Sequence, residues 1–147
     1  MFYYDYDKFK NDTCKLIKQL SLCEFDTIVA IARGGLMLSH ALAQGLDIRN
    51  VQSVSTQLYD QNTKRDKISL HANCNLLTSK KVLIADDIAD SGLTLKSVKE
   101  ELVGLYPECD FKTVTLFYKE DSIIQPDFTL NEATDWIEFF WEKDFIV

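Results

Sequence analysis

A short hydrophobic run that ends in two adjacent carboxylates constrains the fold of this chain more than any other feature. The residues from Val82 to Ala85 are all apolar, which is the pattern of a strand covered on both faces in a parallel sheet. Asp86 and Asp87 follow directly. Because ligands of such sheets bind beyond the carboxyl ends of the strands, the sequence predicts that this acid pair lies at a binding edge.

The loop behind the acid pair has the composition of a phosphate cradle. Asp90-Ser91-Gly92-Leu93-Thr94 supplies two hydroxyls, backbone N–H groups and the start of a predicted helix. Carboxylates suit ribose hydroxyls or a metal ion, so the two features together describe a site for a phosphorylated sugar. The alternative is that Asp86 and Asp87 only cap a strand before a solvated loop, which leaves the hydroxyl-glycine loop unexplained.

Alternating strand and helix patterns predict an α/β fold. Helices are predicted over 6–21, 36–46 and 94–105, and strands over 27–32, 51–59, 82–86 and 111–118. Strands separated by helices form right-handed β-α-β units, which give a mostly parallel central sheet with helices on both faces. Residues 60–75 are polar without a clear period and predict a long loop or mobile arm, and residues 127–147 predict short strands and turns.

Residues 82–95 resemble the signature of the type I phosphoribosyltransferases, a hydrophobic strand followed by Asp-Asp-x-x-Asp-Thr-Gly-x-Thr. Ser91 replaces the usual threonine and keeps its hydroxyl. The stretch 28–60, with Ala-Arg-Gly-Gly-Leu and a later Leu-Tyr-Asp, is similar to the bacterial xanthine-guanine phosphoribosyltransferases. The resemblance implies the type I phosphoribosyltransferase fold in a single domain, 1–147, with a small C-terminal hood over the base at about 120–147.

The reaction that the resemblance implies is transfer of ribose 5-phosphate from phosphoribosyl pyrophosphate to a 6-oxopurine (guanine, xanthine or hypoxanthine) in purine salvage, with Mg²⁺ as cofactor. Asp87 would bind the ribose hydroxyls or the metal, with Asp86 beside it. Asp90 would accept a proton near purine N7. The 5′-phosphate would be held by Asp90, Ser91, Gly92, Leu93 and Thr94.

Arg33-Gly34-Gly35 also follows a predicted buried strand, and a guanidinium can hold an anionic oxygen bidentately. Taken alone, this motif is weak and indicates a structural turn, but its position directly after the predicted strand favours a binding role. The resemblance assigns Arg33 and Gly34 to the pyrophosphate, with Gly35 in support. It also assigns Arg65 to the pyrophosphate, from a loop that closes as a lid and shields the reacting sugar from water. Without the resemblance, residues 60–75 predict only a solvated loop of mixed charge.

Two later segments are assigned to the base. Phe117-Tyr118-Lys119 resembles a run in which the lysine contacts the purine O6, and a cationic donor there disfavours the 6-amino group of adenine. Thr134-Asp135-Trp136-Ile137-Glu138 resembles a run in which the tryptophan ring stacks on the base and the backbone of the isoleucine recognises its far edge. By themselves, an edge lysine is usually only solvated and a tail tryptophan is usually core. The chain departs from the family pattern after Glu138, so the preferred purine stays open.

Charge and cysteine pattern argue against several other classes. The formal net charge of -7 argues against broad binding of nucleic acid, although a local positive field and Mg²⁺ still allow a phosphorylated substrate. The four cysteines are scattered without a Cys-x-x-Cys pair, and the two histidines complete no zinc pattern. With no signal core and no run of about 18 apolar residues, the sequence predicts no transmembrane segment and a cytoplasmic location.

Two alternatives remain open at this point. One is a phosphoribosyltransferase for another base, which only Lys119 and Trp136 distinguish. The other is a non-catalytic nucleotide-binding regulator with the same fold, although a regulator of nucleic acid would need a basic face or a further domain. A response-regulator receiver fits poorly, because its acid pair follows the first strand. Enzymes of the family are dimers or tetramers, so we expect a homodimer or homotetramer.

Overall fold

The computed structural model describes residues 1–59, 67–72 and 74–147. Its elements, in chain order, are β1 (Phe2–Tyr4), α1 (Tyr6–Leu20), β2 (Thr27–Ala32), α2 (Leu36–Leu46), β3 (Asn50–Tyr59), β4 (Lys67–Ala72), β5 (Lys81–Ala85), β6 (Ile88–Ala89), α3 (Leu93–Leu105), β7 (Asp110–Val114), β8 (Phe117–Tyr118), β9 (Asn131–Glu132), β10 (Ile137–Phe139) and α4 (Phe140–Lys143). The helices predicted over 6–21, 36–46 and 94–105 are therefore confirmed as α1, α2 and α3.

The central sheet has five strands in the order β4-β3-β2-β5-β7. Its neighbours run parallel except β3 and β4, which are antiparallel. The crossover from β2 through α2 to β3, and the one from β5 through α3 to β7, are the β-α-β units that the alternating pattern predicts. The predicted α/β fold with a mostly parallel sheet is confirmed.

Helices cover both faces of this sheet. Ile28 and Leu83 contribute to one apolar cluster with α1 and α2, whereas the neighbouring Val29 and Val82 contribute to a second cluster with α3. Successive residues of a strand point to opposite faces, and both sets are fully buried. This explains why β2 and β5 are almost continuous apolar runs. It also explains why the polar residues that follow them, Arg33 and Asp86, are conspicuous in the sequence.

The prediction of one strand over 111–118 is wrong. The chain leaves the central sheet after Val114, and β8 pairs instead with β6 and β9 in a small parallel sheet ordered β6-β8-β9. The Thr115 Oγ1 hydroxyl donates to the Phe117 carbonyl at 2.8 Å, and the Leu116 N–H donates to the Asp87 carbonyl at 3.0 Å. These bonds redirect the strand toward the loop that carries the acid pair.

The prediction of a loop over 60–75 is wrong for residues 67–72, which form β4. Backbone pairing with β3 makes β4 an edge strand, and an edge strand needs no apolar period, so the polar sequence gave no sign of it. Residues 60–66 lie outside the described residues. The predicted lid and the role of Arg65 therefore stay predictions.

The N-terminal and C-terminal segments pair with each other. Strand β1, which the sequence analysis did not predict, runs parallel to β10 with Phe2 opposite Ile137 and Tyr4 opposite Phe139. The predicted short strands of the tail are confirmed in β9 and β10, and α4 is an unpredicted short helix. The single domain with a hood at about 120–147 stays a prediction. Within the described residues, no helix is long and apolar enough to cross a membrane.

Candidate functional site

The predicted site residues follow the carboxyl ends of strands from two sheets. Arg33 follows β2 and Asp86 follows β5 in the central sheet, while Asp90 follows β6 and Lys119 follows β8 in the small sheet. The Asp86 N–H donates to the Val114 carbonyl at 3.1 Å, at the point where β7 ends. One cavity is lined both by Asp86, which follows β5, and by Asp90, which follows β6, so the carboxyl ends of a strand from each sheet open onto the same space.

The acid pair is buried where β5 ends. Asp86 is 9% exposed and Asp87 is 8% exposed, and the Asp87 N–H donates to Asp86 Oδ1 at 2.8 Å. Burial raises the pKa of Asp86 well above its usual value, and the charge of Asp87 raises it further. Burial also raises the pKa of Asp87 to about 6, with a smaller contribution from the charge of Glu142. Two adjacent buried carboxyls favour keeping a proton until a cation or hydroxyl donor compensates their charge.

The donor set of the acid pair suits Mg²⁺. Two carboxylates supply hard oxygen ligands, and Mg²⁺ is commonly bound by one or two carboxylates together with substrate phosphates. Among the described residues, no group of three or more His, Cys, Asp or Glu side chains is placed to hold a metal ion without such help. Raised carboxyl pKa values also fit a site that gains a positive charge when loaded.

The Arg33-Gly34-Gly35 turn lies against the acid pair. A Cβ built on Gly34 would lie 2.5 Å from Asp87 Oδ2, so only glycine allows the backbone to come this close to the carboxyl. The Gly35 N–H donates to the Ile31 carbonyl at 2.8 Å, which closes the turn behind β2. The peptide between Ala32 and Arg33 is cis. Arg33, Gly34 and Asp87 therefore share one corner of the site.

The phosphate-cradle loop surrounds a cavity of about 210 Å³. Its lining includes both acids of the pair together with Asp90, Ser91, Gly92 and Thr94, but not Leu93. Gly92 has φ +86°, a left-handed conformation that glycine adopts without strain, and α3 begins at the next residue. The Ser91 Oγ accepts the Leu93 N–H at 3.2 Å. The loop thus presents the N-terminus of a 13-residue helix to this cavity.

Lys119 links the end of β8 to the loop that begins at Asp90. Its Nζ lies 2.6 Å from Asp90 Oδ1, and its backbone N–H donates to the Ala89 carbonyl at 2.9 Å. The hydrogen bond and the charge of Asp90 raise the pKa of Lys119, which favours the protonated, positively charged side chain. The ammonium and the carboxylate together offer a donor and an acceptor to neighbouring atoms of one ligand edge.

A cavity of about 480 Å³ adjoins Lys119. Besides Lys119, Ala133 and Thr134, it is lined by Glu120, Asp121 and Glu132, three exposed acids that we term the acidic rim. The charge of Asp121 also acts on Lys119. The lining thus combines one ammonium with three carboxylates, so negative charge predominates in this cavity.

Trp136 and Ile137 lie at the start of β10. The ring of Trp136 is 70% exposed and free to cover a ligand, whereas the side chain of Ile137 is buried. The Phe2 N–H donates to the Trp136 carbonyl at 2.8 Å. In a parallel pair with Phe2 opposite Ile137, the N–H and C=O of Ile137 point away from β1. These two backbone groups are therefore presented on the other side of the strand.

Sequence reasoning missed Glu142. This acid of α4 lines a cavity of about 840 Å³ together with Arg33, Gly34 and Trp141, and its charge acts on Asp87. Its place in this cavity depends on how the tail folds back from β10 along α4. No pattern distinguishes it in the sequence from other surface acids.

Comparisons with known proteins agree with this geometry. The sequence profile of the phosphoribosyl transferase domain matches residues 3–144. The chain is 30% identical over 128 residues to a xanthine-guanine phosphoribosyltransferase of Idiomarina loihiensis, covering 85% of this chain and 76% of that protein. The structure of the Helicobacter pylori xanthine-guanine-hypoxanthine phosphoribosyltransferase is similar, with a TM-score of 0.90 at 31% identity over 97% of this chain and 94% of that chain. A purine phosphoribosyltransferase from Pyrococcus horikoshii has a TM-score of 0.86 at 26% identity over 99% and 96%.

Proposed function

Because this chain belongs to the phosphoribosyl transferase domain family, we propose that it transfers ribose 5-phosphate from phosphoribosyl pyrophosphate to a 6-oxopurine in purine salvage. The products are the nucleoside 5′-monophosphate and pyrophosphate. The 2.6 Å contact between Asp90 and Lys119 carries this proposal, because it joins the loop suited to the sugar phosphate with the donor suited to the base. The names of the Idiomarina loihiensis and Helicobacter pylori relatives support a 6-oxopurine as acceptor.

The sugar half of the substrate has a matching set of groups. The 5′-phosphate binds the loop from Asp90 to Thr94, at the positive end of the α3 dipole. The ribose hydroxyls face the carboxyls of Asp86 and Asp87. The pyrophosphate extends toward Arg33 and Gly34, which lie next to Asp87, and Arg65 is assigned to it as well.

Departure of pyrophosphate is the difficult step, because the bond from C1 to oxygen breaks as positive charge develops on the ribose. Groups fixed around the leaving group stabilise its growing negative charge, which is the role of the Arg33 guanidinium and the backbone at Gly34. Mg²⁺ would be held by Asp87, with Asp86 beside it, and when bound it neutralises negative charge on the pyrophosphate. The acid pair also orients the ribose hydroxyls.

Recognition of the base follows from Lys119, Trp136 and Ile137. The Lys119 ammonium donates to the purine O6, and Trp136 stacks on the ring. The outward N–H and C=O of Ile137 face the edge that carries the 2-position. Asp90 accepts the proton from N7 as N9 attacks the sugar, and its contact with Lys119 places acceptor and donor side by side for N7 and O6.

Membership of the family also bears on the assembly and the location of the protein. We infer one domain over 1–147 with the hood at about 120–147, a homodimer or homotetramer, and a cytoplasmic location, all supported by the family. A phosphoribosyltransferase for another base and a non-catalytic regulator have no described feature in their favour.

A steady-state assay with Mg²⁺ and phosphoribosyl pyrophosphate tests the proposal, with guanine, xanthine, hypoxanthine, adenine and uracil offered separately. We expect turnover of the 6-oxopurines alone. Lys119→Gln should lower kcat/KM for these bases by about 10- to 100-fold, since a charged donor to a carbonyl is lost. Lys96→Gln, at an exposed lysine of α3 paired with Glu100, is the matched control and should leave kcat/KM unchanged. Turnover of adenine or uracil, or of no base, would overturn the proposal.

A further inference from the structure

We propose that Asp12 of α1 is a positioning residue for purine recognition, an inference that rests on the proposed function. The Asp12 side chain is only 14% exposed. Its Oδ2 accepts the Tyr4 hydroxyl at 2.7 Å and the Asn131 Nδ2 at 2.9 Å. The other oxygen lies 3.9 Å from the Nζ of Lys15, a mostly exposed lysine. A single carboxylate oxygen thus joins β1 to β9, two strands that are distant in sequence.

The Tyr4 contact leads to Trp136 and Ile137. Tyr4 is 1% exposed, and its ring packs edge-on against Phe117 of β8 at 5.0 Å and Phe139 of β10 at 5.8 Å between centroids. Because β1 pairs with β10, the position of Tyr4 fixes the strand that holds Ile137. This pairing engages the Trp136 carbonyl and turns the N–H and C=O of Ile137 toward the base.

The Asn131 contact leads to Lys119 and the acid pair. Asn131 Nδ2 also donates to the Leu116 carbonyl at 3.1 Å, and the Leu116 N–H donates to the Asp87 carbonyl at 3.0 Å. Both partners of the amide nitrogen are acceptors, so the orientation of the Asn131 side chain is determined. Asn131 lies opposite Phe117 in the β8–β9 pair, and Phe117 precedes Lys119 by two residues.

Asp12 is a largely buried carboxylate whose hydrogen-bond donors are both neutral, and the nearby Lys15 ammonium is mostly exposed and lies 3.9 Å away. Such a group is not the usual way to stabilise a core. Removing an anion from water is unfavourable, and apolar contacts of the same volume often stabilise a fold as well or better. Hydrogen bonds to a charged acceptor are strong and directional, however, and they hold two strands in one register. Both strands lead to residues assigned to the base, whereas no hydrogen bond or ion pair of the described residues joins Asp12 directly to the loop assigned to the 5′-phosphate.

The test compares Asp12→Ala with Asp26→Ala. Asp26 is a matched control because its carboxylate also accepts several hydrogen bonds: from the Lys80 N–H at 3.0 Å, the Lys81 N–H at 2.8 Å and the Thr27 hydroxyl at 2.7 Å. It lies at the amino ends of β2 and β5, away from the carboxyl ends that carry the site. Both variants should lower Tm. Only Asp12→Ala should raise KM for the purine, by about tenfold, with KM for phosphoribosyl pyrophosphate within about twofold of wild type. Asp12→Asn keeps an acceptor oxygen and should restore most of the purine KM.

Hydrogen exchange supplies a readout that does not depend on turnover. Amides of residues 131–139 should exchange faster in Asp12→Ala than in wild type, and should be unchanged in Asp26→Ala. Equal effects of the two alanine variants on both KM values and on exchange would overturn the inference and leave Asp12 as a structural residue. If the wild type turns over no purine, the proposed function fails, and the exchange result alone decides whether Asp12 positions this segment.

Discussion

Replacing Asp87 with asparagine should stabilise the ligand-free protein at alkaline pH while it abolishes the reaction. The carboxyl is buried, and its pKa of about 6 lies well above the value of 3.8 of a free side chain. The folded protein therefore binds this proton more tightly than the unfolded chain does. The associated stability is fully present below the unfolded pKa and is lost as the pH rises through about 6.

The magnitude follows from the shift. A difference of about two pKa units, at about 1.4 kcal/mol for each unit, gives about 3 kcal/mol of lost stability once the carboxyl is ionised. Asparagine has nearly the same shape as the protonated acid and does not titrate. Asp87→Asn should therefore exceed wild type by up to about 3 kcal/mol in free energy of unfolding at about pH 8, and the difference should nearly vanish at about pH 3, below the unfolded pKa.

Urea unfolding at several pH values measures this difference, with Asp26→Asn as a control of opposite sign. Burial works to raise the pKa of Asp26, but hydrogen bonds from Thr27, Lys81 and Lys80 outweigh it, and the pKa is lowered. Its stabilising effect is present above the unfolded pKa and is lost on acidification, so Asp26→Asn should destabilise the protein at about pH 8. An Asp87→Asn variant that is no more stable than wild type at about pH 8, or whose added stability is the same at about pH 3 as at about pH 8, would contradict this effect of burial.

Three further predictions concern the site. Gly34→Ala should lower kcat by about 100-fold, because the added methyl group displaces the Asp87 carboxyl. Gly104→Ala is the control and should leave kcat unchanged, since a Cβ there meets no atom within 4 Å. Steady-state kinetics of the two variants measure the difference. Trp136→Ala should raise KM for the purine by about tenfold and Trp136→Phe should restore most of it, since stacking on a base is worth about 1–3 kcal/mol; equal KM values for the two variants would exclude stacking. Xanthine loses a proton near neutral pH and becomes an anion, so the ratio of its kcat/KM to that of hypoxanthine should fall between about pH 6 and about pH 8.5. Replacing an acid of the acidic rim with its amide should raise this ratio at about pH 8.5 by about threefold for each charge removed. A ratio that does not change with pH would contradict this charge effect.

The sequence predicted the central sheet well because β2 and β5 are buried on both faces. A strand covered by α1 and α2 on one side and α3 on the other must be apolar throughout, and such a run is visible without any structure. The polar residues that follow it then mark the binding edge. For this reason Asp86, Asp87 and the loop that begins at Asp90 were predicted in the positions where the structure has them.

Short elements that depend on distant partners could not be predicted in the same way. Strand β1 exists through its pairing with β10, more than 130 residues away, and β6 and β8 contain only two residues each. The break between β7 and β8 depends on the hydrogen bond from the Leu116 N–H to the Asp87 carbonyl. No local sequence pattern predicts this bond. Glu142 enters the site by the same kind of tertiary contact.

A crystal structure with guanosine 5′-monophosphate bound shows whether one site joins a sugar-phosphate half to a purine half. We expect the phosphate in the loop from Ser91 to Thr94 and the ribose hydroxyls at Asp86 and Asp87. We also expect O6 within hydrogen-bond distance of Lys119 Nζ and the base beneath Trp136. A phosphate in that loop with the base turned away from Lys119, or a nucleotide bound at any other cavity, would contradict this expectation.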